Sequence, residues 1–89
     1  MPEVTRFDGI VAQIYGKDHP PPHIHFRSST FKVKMQIDDR RIVRVSGSLP
    51  GKRARILAEW VSDKESILLE FWAAAYAGEP TDGIWTEGA

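Results

Sequence analysis

From His23 to Val45, apolar and polar side chains alternate within three segments separated by polar runs at 28–30 and 38–41. Ile24 and Phe26 sit between His23, His25 and Arg27; Phe31, Val33, Met35 and Ile37 flank Lys32, Lys34 and Gln36; Val43 and Val45 bracket Arg44. A period of two is that of a β-strand, whose successive side chains point to opposite faces, so these segments are expected to bury one side and expose the other. The exposed members are cations and histidines. Whatever the sheet shows to solvent is therefore expected to be basic.

An earlier segment obeys the same rule: Ile10, Ala12 and Ile14 alternate with Val11, Gln13 and Tyr15 up to Gly16. Pro20, Pro21 and Pro22 follow, and their fixed φ angles predict a stiff, irregular connection over 16–22. Beyond the strands the apolar spacing becomes helical. Ile56, Leu57, Trp60 and Val61 form one stripe, with Ser48 or Leu49 as cap and Pro50 in the first turn. Ser62 and Glu65 make a capping-box pattern before a second stripe of Ile67, Leu68, Phe71, Trp72, Ala75 and Tyr76, which Gly78 and Pro80 end. The spacing leaves open one bent helix or two. The expected fold is α+β: a small antiparallel sheet of about four strands in ββββαα order, with two C-terminal helices packed on one face. Residues 1–89 make one domain, with 79–89 as an irregular tail in which Ile84 and Trp85 are apolar enough to dock back.

Partners in an antiparallel pair share a face, so the apolar pattern also predicts register. A two-residue turn at Ser28 and Ser29 sets Phe26 opposite Phe31, Ile24 opposite Val33, His25 opposite Lys32 and His23 opposite Lys34. A three-residue turn at Asp38, Asp39 and Arg40 aligns Met35 with Val43, Val33 with Val45 and Lys34 with Arg44. One face then carries His23, His25, Arg27, Lys32, Lys34 and Arg44, with Gln36 and Ile42 beside them.

The net charge of zero conceals an asymmetry: nine of the 12 basic residues lie from Arg27 to Arg55, opposed there by Asp38 and Asp39 alone. From Glu59 onward seven acids face Lys64. One basic and one acidic surface are expected, which bears on partners rather than on fold. The chain has no cysteine, so disulfides and thiolate zinc sites are excluded. No apolar run resembles a secretory signal or a membrane span, so a cytoplasmic protein with no membrane partner is expected.

All three histidines, His19, His23 and His25, fall within seven positions. Imidazole exchanges protons near neutrality and is a common metal ligand, so three readings compete. In one, His23 and His25 act as proton donor and acceptor, or His19 supplies the acid, while Arg27, Lys32, Lys34 and Arg44 stabilise a phosphodiester transition state, as in metal-free RNA cleavage. In another, His23 and His25 hold a metal with His19 or Asp18, although Lys32 and Lys34 would repel the cation. In the third, the histidines are structural or form a protein interface, and the basic face receives an acidic segment. No resident cofactor is expected. Neither a helix-turn-helix with a basic recognition helix nor an exposed aromatic platform beyond Tyr15 is present, although Lys52, Arg53 and Arg55 can reach phosphates from the start of the first helix.

The run from Asp18 to Arg27, the segment Gly47, Ser48, Leu49, Pro50, then Trp60 and the segment Leu69, Glu70, Phe71, Trp72 together resemble the DhiT-like family, a bacterial domain of unknown function. The resemblance covers nearly the whole chain, and its signature maps onto Asp18, His19, Pro20, Pro21, Pro22, His23, Ile24, His25 and Arg27. It implies the toxin of a type II toxin-antitoxin pair, with a cognate antitoxin protein encoded nearby; RNA as a candidate partner comes from the basic face and the histidines themselves. The alternative is a non-enzymatic protein-binding or nucleic-acid-binding module, an antitoxin or regulator, whose histidine and proline loop is structural. Sequence fixes neither the target nor the oligomeric state.

Overall fold

The computed structural model describes residues 3–16 and 19–84. Five strands, β1 (Glu3–Phe7), β2 (Ile10–Gln13), β3 (His23–Arg27), β4 (Phe31–Gln36) and β5 (Ile42–Gly47), precede helices α1 (Gly51–Asp63) and α2 (Glu65–Tyr76). The strands lie in sequence order in one antiparallel meander. The α+β class with two C-terminal helices is therefore as expected, but the sheet has one strand more than the four anticipated. The additional strand is β1, joined to β2 through Asp8 and Gly9, both at positive φ (50° and 74°), with Phe7 opposite Ile10. Two successive positive φ values fit the twist of a two-residue hairpin, and an Asp-Gly pair meets that demand at little steric cost.

The inner face of the sheet buries Ile10, Ala12, Ile24, Phe26, Phe31, Val33 and Met35 against Leu57 and Val61 of α1 and Leu68, Phe71 and Trp72 of α2. Phe7, Phe26 and Trp60 pack ring on ring, with Phe7 stacked on Trp60 at 4.8 Å and Phe26 edge-on to both. This cluster ties the first strand to the middle of the sheet and to α1. Removing a fully buried Phe26 side chain would forfeit about 3–5 kcal/mol of burial and packing.

Two register details differ from expectation. In the β3–β4 hairpin the turn sits one residue later: Ser28 N–H donates to the Phe31 carbonyl at 2.9 Å, and Arg27 pairs with Lys32, His25 with Lys34 and His23 with Gln36. The Ser28 hydroxyl accepts from the Thr30 and Phe31 amides, which fixes the turn at Ser29 and Thr30. In the β4–β5 hairpin the pairs Val33 with Val45 and Lys34 with Arg44 form as expected, but a bulge then sets Ile42, not Val43, opposite Met35. Ile42 is thereby moved to the inner face and packs on the core.

Pro50 is the N-cap of α1 rather than a first-turn residue, and no side chain caps that helix. Lys64 separates the helices with φ −117° and ψ 19°, so there are two. At the end of α2 the Gly78 amide donates to the Ala75 carbonyl and the Glu79 amide to the Ala74 carbonyl, a Schellman closure that satisfies two terminal acceptors. Of the two helical stripes, Ile56 and Tyr76 lie outside the buried set and are exposed. Ile84 packs on the core, whereas Trp85 lies outside the described residues.

Gly16, which ends the β2 segment, approaches α2 so closely that a Cβ there would lie 2.7 Å from the Ala75 carbonyl oxygen. Backbone cannot swing aside as a side chain can. Gly16→Ala is expected to lower unfolding free energy by about 1–3 kcal/mol, read as an earlier urea midpoint at unchanged m-value.

Candidate anion-binding face

The outer face of the sheet is built from two transverse rows with one residue contributed by each strand. Glu3, Gln13, His25, Lys34 and Arg44 are successive cross-strand partners, as are Arg6, Val11, Arg27, Lys32 and Ser46. Neighbouring strands are spaced by about 4.8 Å and the rows by about 6.8 Å, so Arg27, Lys32, Lys34 and Arg44 crowd a patch of roughly 10 by 7 Å. Arg27 stands directly opposite Lys32, and Lys34 directly opposite Arg44. Like charges facing each other across strands destabilise a sheet by about 0.2–1 kcal/mol per pair. A compensating anion would turn that cost into affinity.

These side chains line a cleft of about 370 Å³ whose walls are Gln13, Tyr15, His25, Phe26, Arg27, Lys32, Val33, Lys34, Arg44 and Ser46. His25 is half-buried within it, with the Tyr15 ring edge-on at 4.4 Å. The Tyr15 hydroxyl donates to Gln13 Oε1 at 3.1 Å, and Gln13 is itself buried, so a chain of contacts from β2 steadies the imidazole. At the outer end of the rows, Glu3 and Arg6 form a two-point ion pair at 3.0 and 3.1 Å. The hydrogen bond from Arg6 holds the Glu3 carboxyl below its ordinary pKa, with a smaller pull from Arg27. Glu3 raises the Arg6 pKa in turn. Arg6 thus absorbs most of the negative charge that would otherwise screen the patch.

Of the residues singled out from sequence, the structure brings His25, Arg27, Lys32, Lys34 and Arg44 together at one cleft. His23 shares their strand face but is only 6% exposed, and it does not line the cleft. His19 is exposed in the proline-bearing connection and does not line it either. Asp18 lies outside the described residues. Among the described residues, no three His, Asp or Glu side chains gather where they could share a metal ion. Gln13, Glu3 and Arg6 are participants that sequence reasoning did not single out. The Asp8-Gly9 turn was the signal that would have placed Glu3 and Arg6 on the sheet.

The acidic side chains Glu59, Asp63, Glu65 and Glu70 are carried by the two helices, which cover the opposite face of the sheet. Arg40 bridges the layers through a 2.9 Å ion pair with Glu65. The outer face of the sheet is therefore basic, whereas the helical layer balances its four acids with Lys52, Arg53, Arg55 and Lys64. No described helix is long and apolar enough to cross a membrane.

Tyr15→Phe is expected to cost about 0.5–1.5 kcal/mol through loss of the bond to Gln13. Tyr15→Ala also removes the ring, and NMR should then show the His25 ring-proton resonances shifted while those of His19 stay in place. Because the Glu3 pKa is lowered on folding, its pair with Arg6 favours the folded state above the carboxyl's unfolded pKa and is lost as pH falls through the folded value. The urea midpoints of the wild type and Glu3→Gln are accordingly expected to differ slightly at pH 7 and to converge on acidification below about pH 4.

No curated protein and no solved structure matches the chain. A family model does match, over residues 9–73, which spans β2 to the last turn of α2 and includes the whole cationic patch. The chain belongs to the family described as a domain of unknown function, DUF4160.

Proposed function

We propose that this protein is the toxin of a type II toxin-antitoxin pair, acting in the cytoplasm and binding RNA on its outer sheet face, with a cognate antitoxin protein as its partner. The observation that carries the RNA reading is the pair of like-charge oppositions, Arg27 against Lys32 and Lys34 against Arg44, at one cleft. Four cations held at sheet spacing match a phosphate backbone, whose neutralisation releases counterions. The toxin reading rests on the resemblance of the histidine and proline run to its family.

His25 is the imidazole in the cleft, and it can accept the 2′-hydroxyl proton or donate to a leaving oxygen. One imidazole performs one of these transfers at a time. Cleavage would need a second group, and His19 is the exposed histidine on the adjoining connection. Arg27, Lys32, Lys34 and Arg44 would hold the phosphate and its added charge in place.

A fluorescent single-stranded RNA oligonucleotide titrated at several salt concentrations tests the reading. Affinity should fall steeply with salt, and Lys34→Ala or Arg44→Ala should each weaken binding and reduce the slope of log K against log salt by about 0.7. Glu3→Gln should act in the opposite direction, because it releases Arg6 from its carboxylate. His25→Gln should retain binding while abolishing any strand scission and growth inhibition. Salt-independent affinity, or slopes untouched by Lys34→Ala and Arg44→Ala, would remove the nucleic-acid reading.

A further inference from the structure

We propose that the outer edge of β5 is a docking strand for a partner protein, which adds an extended segment of alternating apolar and acidic residues as a sixth strand. This is separate from the RNA reading and does not depend on it. β5 ends the sheet, and Val43, Arg44, Val45, Ser46 and Gly47 are all exposed. The Ser48 amide donates to the Thr30 carbonyl, so in the antiparallel alternation Ser46 and Arg44 direct their backbone groups toward β4 and Val45 directs its N–H and C=O to the open edge. An unpaired edge of this kind is a template for another strand.

The chemistry of the added strand follows from what would flank it. On the inner side it meets Val45, which lies opposite the buried Val33 yet remains 45% exposed, so the helix layer stops short of this margin and leaves an apolar position uncovered. On the outer side it meets Arg44, backed by Lys34 and Lys32 on the next strand. Apolar residues on one face and carboxylates on the other satisfy both. The opposite edge, β1, lacks this demand: its outer charge is already neutralised within the Glu3 and Arg6 pair, and Val4 and Thr5 are buried. A second copy of this chain fits β5 poorly, because edge-to-edge pairing brings two cationic faces together along the seam.

The test is an NMR titration of the ¹⁵N-labelled full chain with a capped octapeptide of alternating valine and glutamate, against the same peptide with lysine in place of glutamate. Amide shifts centred on residues 43–47 are expected with the glutamate peptide, at an affinity at least tenfold higher than for the lysine peptide. Val45→Pro, which removes an outward N–H at an edge where proline is tolerated, should lower that affinity at least tenfold. Arg44→Glu should reverse the preference between the peptides, and this decides the matter if Val45→Pro fails to fold. Equal binding of the two peptides, shifts confined to β2 and β3, or no shift at millimolar peptide would overturn the proposal. So would concentration-dependent shifts at 43–47 in the protein alone, which would make a second copy the occupant.

Discussion

Burial of Ile24, Phe26, Val33 and Met35 on one side of the central hairpin is the constraint on which everything else depends. Each of these side chains is at most 3% exposed, and at about 25 cal/mol per Å² their removal from water is the strongest local reason for β3 and β4 to face the helices as they do. Strand geometry leaves no choice about the residues between them. Once Phe26 points inward, His25 and Arg27 must point outward. The cationic face is thus enforced by the same hydrophobic burial that stabilises the domain.

That enforcement comes at a cost. Arg27 and Lys32 repel across the hairpin, as do Lys34 and Arg44, and the first turn of α1 carries Lys52 and Arg53 where a helix dipole favours acids. The Glu3 and Arg6 pair neutralises itself at the β1 end of the sheet, and the Arg40 pair with Glu65 anchors the β4–β5 turn to the start of α2. Local charge repulsion that folding overrides is thus concentrated at one cleft, beside the half-buried His25.

Much of this was legible in the alternation itself, because the face on which a residue lies depends only on parity. The parity of His25, Lys32, Lys34 and Arg44 came out as read, even though the β3–β4 register was two residues off. A slip of two preserves every facing, so apolar pattern cannot detect it; the Ser28 hydroxyl, by capturing the Thr30 and Phe31 amides, decides it. Ile42 was misplaced for the converse reason, since a bulge adds one residue and inverts parity. Strand β1 escaped notice because Val4, Thr5, Arg6 and Phe7 barely alternate, although the Asp8-Gly9 turn marked a hairpin. Burial of His23 was beyond sequence reasoning: parity assigns a face but not how far neighbouring chain covers it.

The most direct measurement is lysine footprinting by mass spectrometry, with acetylation of the four lysines among the described residues compared in the presence and absence of a single-stranded RNA oligonucleotide. The account predicts protection of Lys32 and Lys34 on the outer sheet face, with Lys64, at the junction of the two helices, reacting as before. Protection of Lys64 or Lys52 while Lys32 and Lys34 remain fully reactive would contradict it.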